Sequence, residues 1–539
     1  MKNNLIKFVG AAFTGKRPAL MLAAGLCSAL AMAAAPGVEA RLDTGVVRGS
    51  VQDGVVAFKG IPFAAPPVGD LRWRPPQPAT AWPGVRAAGE FGPDCMQLPF
   101  PGDAAPLGVT PSEDCLYLNV WAPARPSAHK RPVMVWIYGG GFVNGGSSPA
   151  VYDGSQFARR DVVLISFNYR IGRFGFFAHP ALTAEGGDGL LGNYGFMDQL
   201  AALRWIRRNA AAFGGDPDNV TVFGESAGGM SVNMLLTSPL ARGLFHKAIV
   251  QSGGGRNTLL PMRPLGQQAD GAASGEADGL AFAKSVGVTD AGAGGLAALR
   301  ALPADKIIDG LNLGTLWNAQ NYTGPMVDGR IVPVDLETAF REGRYAQVPV
   351  LLGANSGDGF FMGSTLDDAL APAGTERDAA LAIYDPQGQR NPMAIGAALA
   401  ADQMFIEPVR FVARALSRHA TPAYVFRFSY VAESMRKEWP GAPHASEIPF
   451  VFDTVQARYG EQTTAQDRAA AGTAQAYWVG FARTGQPGAP GLPAWPAYRA
   501  QDDVLMDFAP GGAQAVRDPW HARLDFTAAL SAAGPLLKP

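Results

Sequence analysis

The sequence predicts an α/β protein built on a central, mostly parallel sheet flanked by helices. Three observations carry that expectation. Residues 133–138 (VMVWIY) and 162–167 (VVLISF) are uninterrupted apolar runs of strand length, the pattern of strands covered on both faces. Between Asp198 and Phe213 the apolar residues Leu200, Leu203, Trp205 and Ile206 fall near helical spacing, Gly214-Gly215-Asp216-Pro217 stops the helix, and Val220-Thr221-Val222-Phe223 begins another strand, which is a strand, helix, strand unit. Residues 348–353 and 423–428 supply two further strands in the later half of the chain.

The remaining segments decorate this sheet. Residues 45–49 and 55–58 read as a short hairpin ahead of a Pro-rich stretch over 62–83, where regular structure is not expected. Two Gly- and Ala-rich stretches, 266–295 and 369–401, read as helical or loop insertions over the sheet, and no linker, repeat or low-complexity tract divides the chain. In 539 residues, 47% hydrophobic and 17% charged side chains leave ample material for a buried core. Forty-five basic against 46 acidic residues give a net charge of -1, which provides no general attraction to nucleic acid or to an anionic membrane.

The N-terminus carries Lys2, Lys7, Lys16 and Arg17, then an apolar stretch over 19–35, then small residues ending at Val38-Glu39-Ala40. This order predicts a secretory signal peptide over 1–40, cleaved after Ala40, with one domain over 41–539 in a secreted or periplasmic compartment. Pro36 and Gly37 directly after a short, Ala-rich run argue against a membrane anchor. Cys27 follows Leu26 rather than a small residue, a poor lipoprotein site. Cys95 and Cys115 remain, and two cysteines in an exported chain read as one disulfide.

Chemistry concentrates at residues 220–229, VTVFGESAGG. A bare GxSxG is weak in so Gly-rich a chain, but here a strand precedes it and a helix can open after it, the context of a nucleophile elbow at Ser226. A serine hydroxyl needs a positioned base. Of the six histidines, His129 and His179 precede the serine, His246 follows it too closely, His419 sits just before a strand and His521 lies near the C-terminus. His444, in a loop after the strand at 423–428, is the candidate base, because α/β hydrolases run in the order serine, acid, histidine. Asp358 lies between the two, Gly-flanked after an apolar strand, and is the candidate acid that would orient the imidazole. Tyr138-Gly139-Gly140-Gly141-Phe142 is a glycine run of the oxyanion type, so the N–H groups of Gly140, Gly141 and Ala227 are the candidate donors.

Taken together these segments resemble the type-B carboxylesterase family, which includes the cholinesterases. Residues 58–64 (FKGIPFA), 113–120 (EDCLYLNV), 168–170 (NYR), 192–195 (GNYG), 213–217 (FGGDP), 224–229 and 251–253 (QSG) all look like its signatures. The resemblance implies the α/β hydrolase fold with helical and loop insertions over the active site. It also implies hydrolysis of small carboxylic esters through an acyl-enzyme, a Cys95–Cys115 disulfide, and Ser252 and Glu447 standing behind the triad. No HExxH motif is present, the six histidines are dispersed and no Walker A sequence appears, so no metal and no cofactor are expected, and the balanced charge predicts no nucleic-acid partner. Two departures stand out: Tyr138 where many members have His, and Asp358 where Glu is commoner. A histidine base further predicts activity rising through roughly pH 6 to 7. A non-catalytic recognition module of the same fold and an interfacial lipase are the competing readings. The physiological ester, whether short-chain, xenobiotic, mycotoxin or phthalate, and the oligomeric state are not encoded in any motif.

Overall fold

The computed structural model describes residues 37–186, 189–258, 262–266 and 273–532. Most of the expected signal segment, with Cys27, lies outside the described residues. Glu39–Arg41 is described as a short strand paired with Val46–Arg48, Ala40 opposite Val47.

The sheet that dominates the fold has eleven strands: β1 Ser50–Gln52, β2 Val55–Pro62, β3 Tyr117–Pro123, β4 Arg131–Ile137, β5 Val163–Phe167, β6 Gly215–Glu225, β7 Lys247–Gln251, β8 Val350–Asn355, β9 Ala423–Phe428, β10 Val504–Ala509 and β11 Gly512–Arg517. Their order across the sheet is β11-β10-β9-β8-β7-β6-β4-β5-β3-β2-β1. The run from β5 and β4 through β6 to β10 is parallel, and antiparallel pairs finish both edges. The central strands β4, β5, β7, β8 and β9 are buried along nearly their whole length, as continuous apolar runs require.

One expectation is corrected at the N-terminal edge. The hairpin forms between β1 and β2, with Ser50 opposite Ala57, whereas Val46–Arg48 leaves to join a separate three-stranded sheet with Glu39–Arg41 and Val85–Ala87. The run 45–58 is two short pairings, and Asp53-Gly54, both at positive φ, provides the turn between β1 and β2.

Helices cover the sheet. α1 Tyr194–Asn209 extends the expected helix by a turn at its start and ends in a 3₁₀ turn at Ala210–Phe213. α2 Ala227–Thr237 is buried throughout. α3 Glu407–Arg418 and α4 Ala465–Thr484 follow, the latter opened by a capping box in which Thr464 and Asp467 satisfy each other's backbone N–H. The two insertions are helical, at Gly275–Ser285 and Ala293–Ala301, then at Leu366–Leu370, Arg377–Tyr384 and Pro392–Ala401. Around the later insertion, Ala369, Leu370, Ala373, Ala380 and Ile395 form a small core of their own. Among the described residues no helix is long and apolar enough to cross a membrane.

Cys95 and Cys115 form a disulfide that closes a loop of sequence separation 20. Replacing both by alanine removes the loop-closure constraint on the unfolded chain and should cost about 3 kcal/mol of unfolding free energy. Urea denaturation of the oxidised protein beside the Cys95→Ala/Cys115→Ala variant measures this; equal midpoints would contradict it.

Candidate active site

The site is assembled where the parallel strands end. β6 runs into Ser226, whose φ of 56° and ψ of -123° are strained for a residue with a side chain. What enforces the turn is close packing. A Cβ on Gly224 would lie 2.6 Å from the Ile137 carbonyl oxygen, and one on Gly228 would overlap that same oxygen. A Cβ on Gly229 would lie 2.6 Å from the Gln251 carbonyl oxygen. Glycine is required at these places because α2 starts against the ends of β4 and β7.

β4 continues into the glycine run. Gly140 and Gly141 adopt φ of 102° and 62°, conformations open to glycine. A Cβ built on Gly139 would lie 3.0 Å from the Ser226 Cβ, so this loop abuts the serine. Among the described residues the N–H groups of Gly140, Gly141 and Ala227 have no hydrogen-bond acceptor, that of Ala227 because it begins a helix. Tyr138, which stands where many family members have His, faces inward. It is wholly buried, stacks on Tyr169 at 4.5 Å between ring centres, and each hydroxyl donates to the other's backbone carbonyl at 2.9 Å.

Asp358 and His444 meet as the spacing anticipates. His444 Nδ1 lies 2.7 Å from Asp358 Oδ1, and the other carboxylate oxygen accepts the Ser252 hydroxyl at 2.7 Å and the Asn355 N–H at 2.9 Å. The Asp358 carboxylate reaches His444 where the two loops are stitched together: the Gly357 N–H donates to the Ala442 carbonyl at 2.8 Å, and the Ala442 N–H donates to the Ser356 hydroxyl at 3.0 Å. Ser252 thus touches Asp358 directly. Glu447 touches neither Asp358 nor His444. Its buried carboxylate accepts from Gln251 at 2.9 Å and from Asn355 at 2.6 Å, and Asn355 in turn holds the Pro443 carbonyl at 2.8 Å. Glu447 therefore anchors the loop that carries the imidazole.

Three neighbours of His444 escaped the sequence reading. Its Nε2 lies 3.2 Å from Glu225 Oε1, and among the described residues Ser226 makes no hydrogen bond to it. Phe405 packs on the imidazole at 4.8 Å with rings 30° apart, and Phe360 meets it edge-on at 5.0 Å. Glu225 stood inside the GxSxG motif, but the motif admits any residue there. Phe405 sits on a π-helical turn at Asp402–Ile406, which carries no pattern of its own in the sequence.

Burial pushes Glu225 well above the ordinary carboxylate range. Burial would pull His444 down, but the carboxylates of Glu225 and Asp358 outweigh it and hold the imidazole up, at about 9. The titration expected across pH 6 to 7 is thereby moved upward, by the Glu225 carboxylate first and by Asp358 after it.

The family model described as the carboxylesterase family matches residues 35–385 and 377–526. The chain belongs to the carboxylesterase family. Relatives include a fumonisin B1 esterase of Sphingopyxis macrogoltabida, 35% identical over 86% of this chain and 85% of that protein. A para-nitrobenzyl esterase of Bacillus subtilis is 37% identical over 82% and 89%. An acetylcholinesterase of Bungarus fasciatus is 34% identical over 88% and 84%. This carboxylesterase is accordingly a carboxylic ester hydrolase with the α/β hydrolase fold.

Because the Glu225 carboxylate stabilises the imidazolium, Glu225→Gln should lower the titration midpoint of His444. Imidazole NMR of wild type and variant reads this directly; an unmoved midpoint would contradict the assigned cause.

Proposed function

We propose that this carboxylesterase is a serine esterase in which Ser226 is the nucleophile, His444 the base and Asp358 the acid, with the N–H groups of Gly140, Gly141 and Ala227 receiving the oxyanion. The 2.7 Å contact between Asp358 and His444 beside the strained Ser226 turn carries this reading. With the Nδ1 proton held by Asp358, Nε2 is the atom that accepts once the imidazolium beside Glu225 has given up its proton. The Ser226 hydroxyl turns from its resting position onto Nε2 as the ester carbonyl settles among the three N–H groups. Oxygen attack forms the tetrahedral intermediate, His444 returns the proton to the leaving alcohol, and water repeats the sequence on the acyl-enzyme. Ser252 holds Asp358 through its hydroxyl, and Glu447 holds the His444 loop.

The substrate class follows from what surrounds the reacting atoms. Leu313 and Leu316 close over Gly141, where a Cβ would lie 2.8 Å and 3.1 Å from their methyl carbons. Phe360 and Phe405 flank the imidazole, and the charged groups that contact it are the carboxylates of Glu225 and Asp358. This favours uncharged esters with apolar acyl or alcohol groups. We further propose export with removal of the N-terminal segment, and Arg41 as the start of the mature chain.

Hydrolysis of p-nitrophenyl acetate and butyrate by wild type should vanish in Ser226→Ala, and Asp358→Asn should retain about one part in 10⁴ of kcat. Wild-type turnover in either variant would contradict the corresponding assignment. Mass spectrometry of the exported protein locates its N-terminus; retention of residues 1–40 would overturn the export reading.

A further inference from the structure

The turn that carries Gly140 and Gly141 is held by two buried amide side chains that the proposed reaction does not use. The Gly140 carbonyl accepts from the N–H groups of Val143 at 3.1 Å and Asn144 at 2.9 Å, which closes the turn. Asn144 is wholly buried. Its Oδ1 accepts the Leu313 N–H at 2.8 Å, while its Nδ2 donates to Gln97 Oε1 at 3.1 Å and to the Leu98 carbonyl at 2.8 Å. Gln97 is also buried. Its Oε1 accepts the Gly145 N–H at 2.9 Å, and its Nε2 donates to the carbonyls of Gly145 at 2.6 Å and Cys95 at 2.9 Å. A side-chain amide thus pairs with both backbone groups of Gly145, as a neighbouring strand would.

These contacts join three elements that are far apart in sequence. Gln97 stands two residues beyond Cys95 inside the disulfide loop, and Leu313 belongs to the segment that closes over Gly141. Beneath the same turn, the buried Asp94 accepts the Ser147 N–H at 3.0 Å and the Ser148 hydroxyl. Every polar atom of the two amides has a partner, so substitution at either leaves a buried group unsatisfied.

We propose that Gln97 and Asn144 are positioning residues that fix the direction of the Gly140 and Gly141 N–H groups, and that they tie this direction to the disulfide loop and to the pocket wall. Donors to an oxyanion act because they are already aimed where charge develops. A glycine pair at positive φ has no side chain to restrain it, and its aim must come from what the turn is fastened to. The inference rests on Gly140 and Gly141 being oxyanion donors.

The test compares Gln97→Leu, Gln97→Glu and Asn144→Asp with wild type and Ser226→Ala. Gln97→Leu removes all four hydrogen bonds, Gln97→Glu keeps the two accepted ones, and Asn144→Asp keeps the one accepted from Leu313. The readouts are kcat and KM for p-nitrophenyl butyrate and the affinity for an alkyl trifluoromethyl ketone, whose hydroxyl adduct oxygen occupies the oxyanion position. Gln97→Leu should lose about 10- to 100-fold in kcat, with KM within about twofold and ketone affinity falling in step with kcat/KM. Gln97→Glu should fall between Gln97→Leu and wild type. If Gln97→Leu does not fold, Gln97→Glu and Asn144→Asp decide. A kcat within twofold of wild type in those two, or a fall in kcat with ketone affinity unmoved, overturns the positioning role while an inactive Ser226→Ala leaves the serine reading standing. Turnover persisting in Ser226→Ala would strike the serine reading itself.

Discussion

The start of α2 lies so close to the end of β4 that a Cβ on Gly228 would overlap the Ile137 carbonyl oxygen. Much of the site depends on this approach. It bends the chain through the φ and ψ of Ser226, leaves the Ala227 N–H at a helix start with no internal acceptor, and brings the serine against Gly139. β4 and β6 are neighbours in the parallel register, so the glycine run and the serine emerge at the same edge of the sheet. β7 and β8 follow in order and deliver Ser252 and Asp358 to that edge. The loop after β9 completes the set with His444. A parallel sheet places the ends of successive strands side by side, and this site is built from consecutive ends.

The electrostatic design is lopsided. Two buried carboxylic groups, Glu225 and Asp358, contact one imidazole and a third, Glu447, lies behind its loop, and no arginine or lysine is hydrogen-bonded to any of them among the described residues. Such a group of carboxylates strongly favours the imidazolium, the species that the proposed reaction forms when His444 takes the Ser226 proton. It also has a cost, since a base held protonated is unavailable at lower pH. Glu225 is the adjustable member, because it faces Nε2 whereas Asp358 is committed to Nδ1 and Glu447 to the loop behind.

The parts of this arrangement that the sequence revealed are those where a physical requirement restricts the residue type. Buried central strands demand unbroken apolar runs, hence the legibility of β4, β5, β8 and β9. The elbow demands glycine at 224 and 228 because no Cβ fits, hence the legibility of Ser226. His444 emerged because few histidines follow the serine. What stayed hidden depends on tertiary neighbours. Glu225 occupies a motif position open to any residue, Phe405 is aimed by a π-helical turn, and Gln97 and Asn144 meet across 47 residues. At the N-terminal edge, β-rich segments of three residues each left the pairing partner undetermined, and Val46–Arg48 found Glu39–Arg41 rather than β2. The inward turn of Tyr138 depended on Tyr169 at the end of the neighbouring strand.

The central claim is that ester hydrolysis passes through a covalent acyl group on Ser226, and the most direct measurement is to trap that bond. Protein inactivated with a dialkyl p-nitrophenyl phosphate, digested and sequenced by mass spectrometry, should carry one dialkyl phosphoryl group on the peptide containing Ser226, in proportion to the activity lost. Complete inactivation with that peptide unmodified, or the label on another residue, would contradict the account.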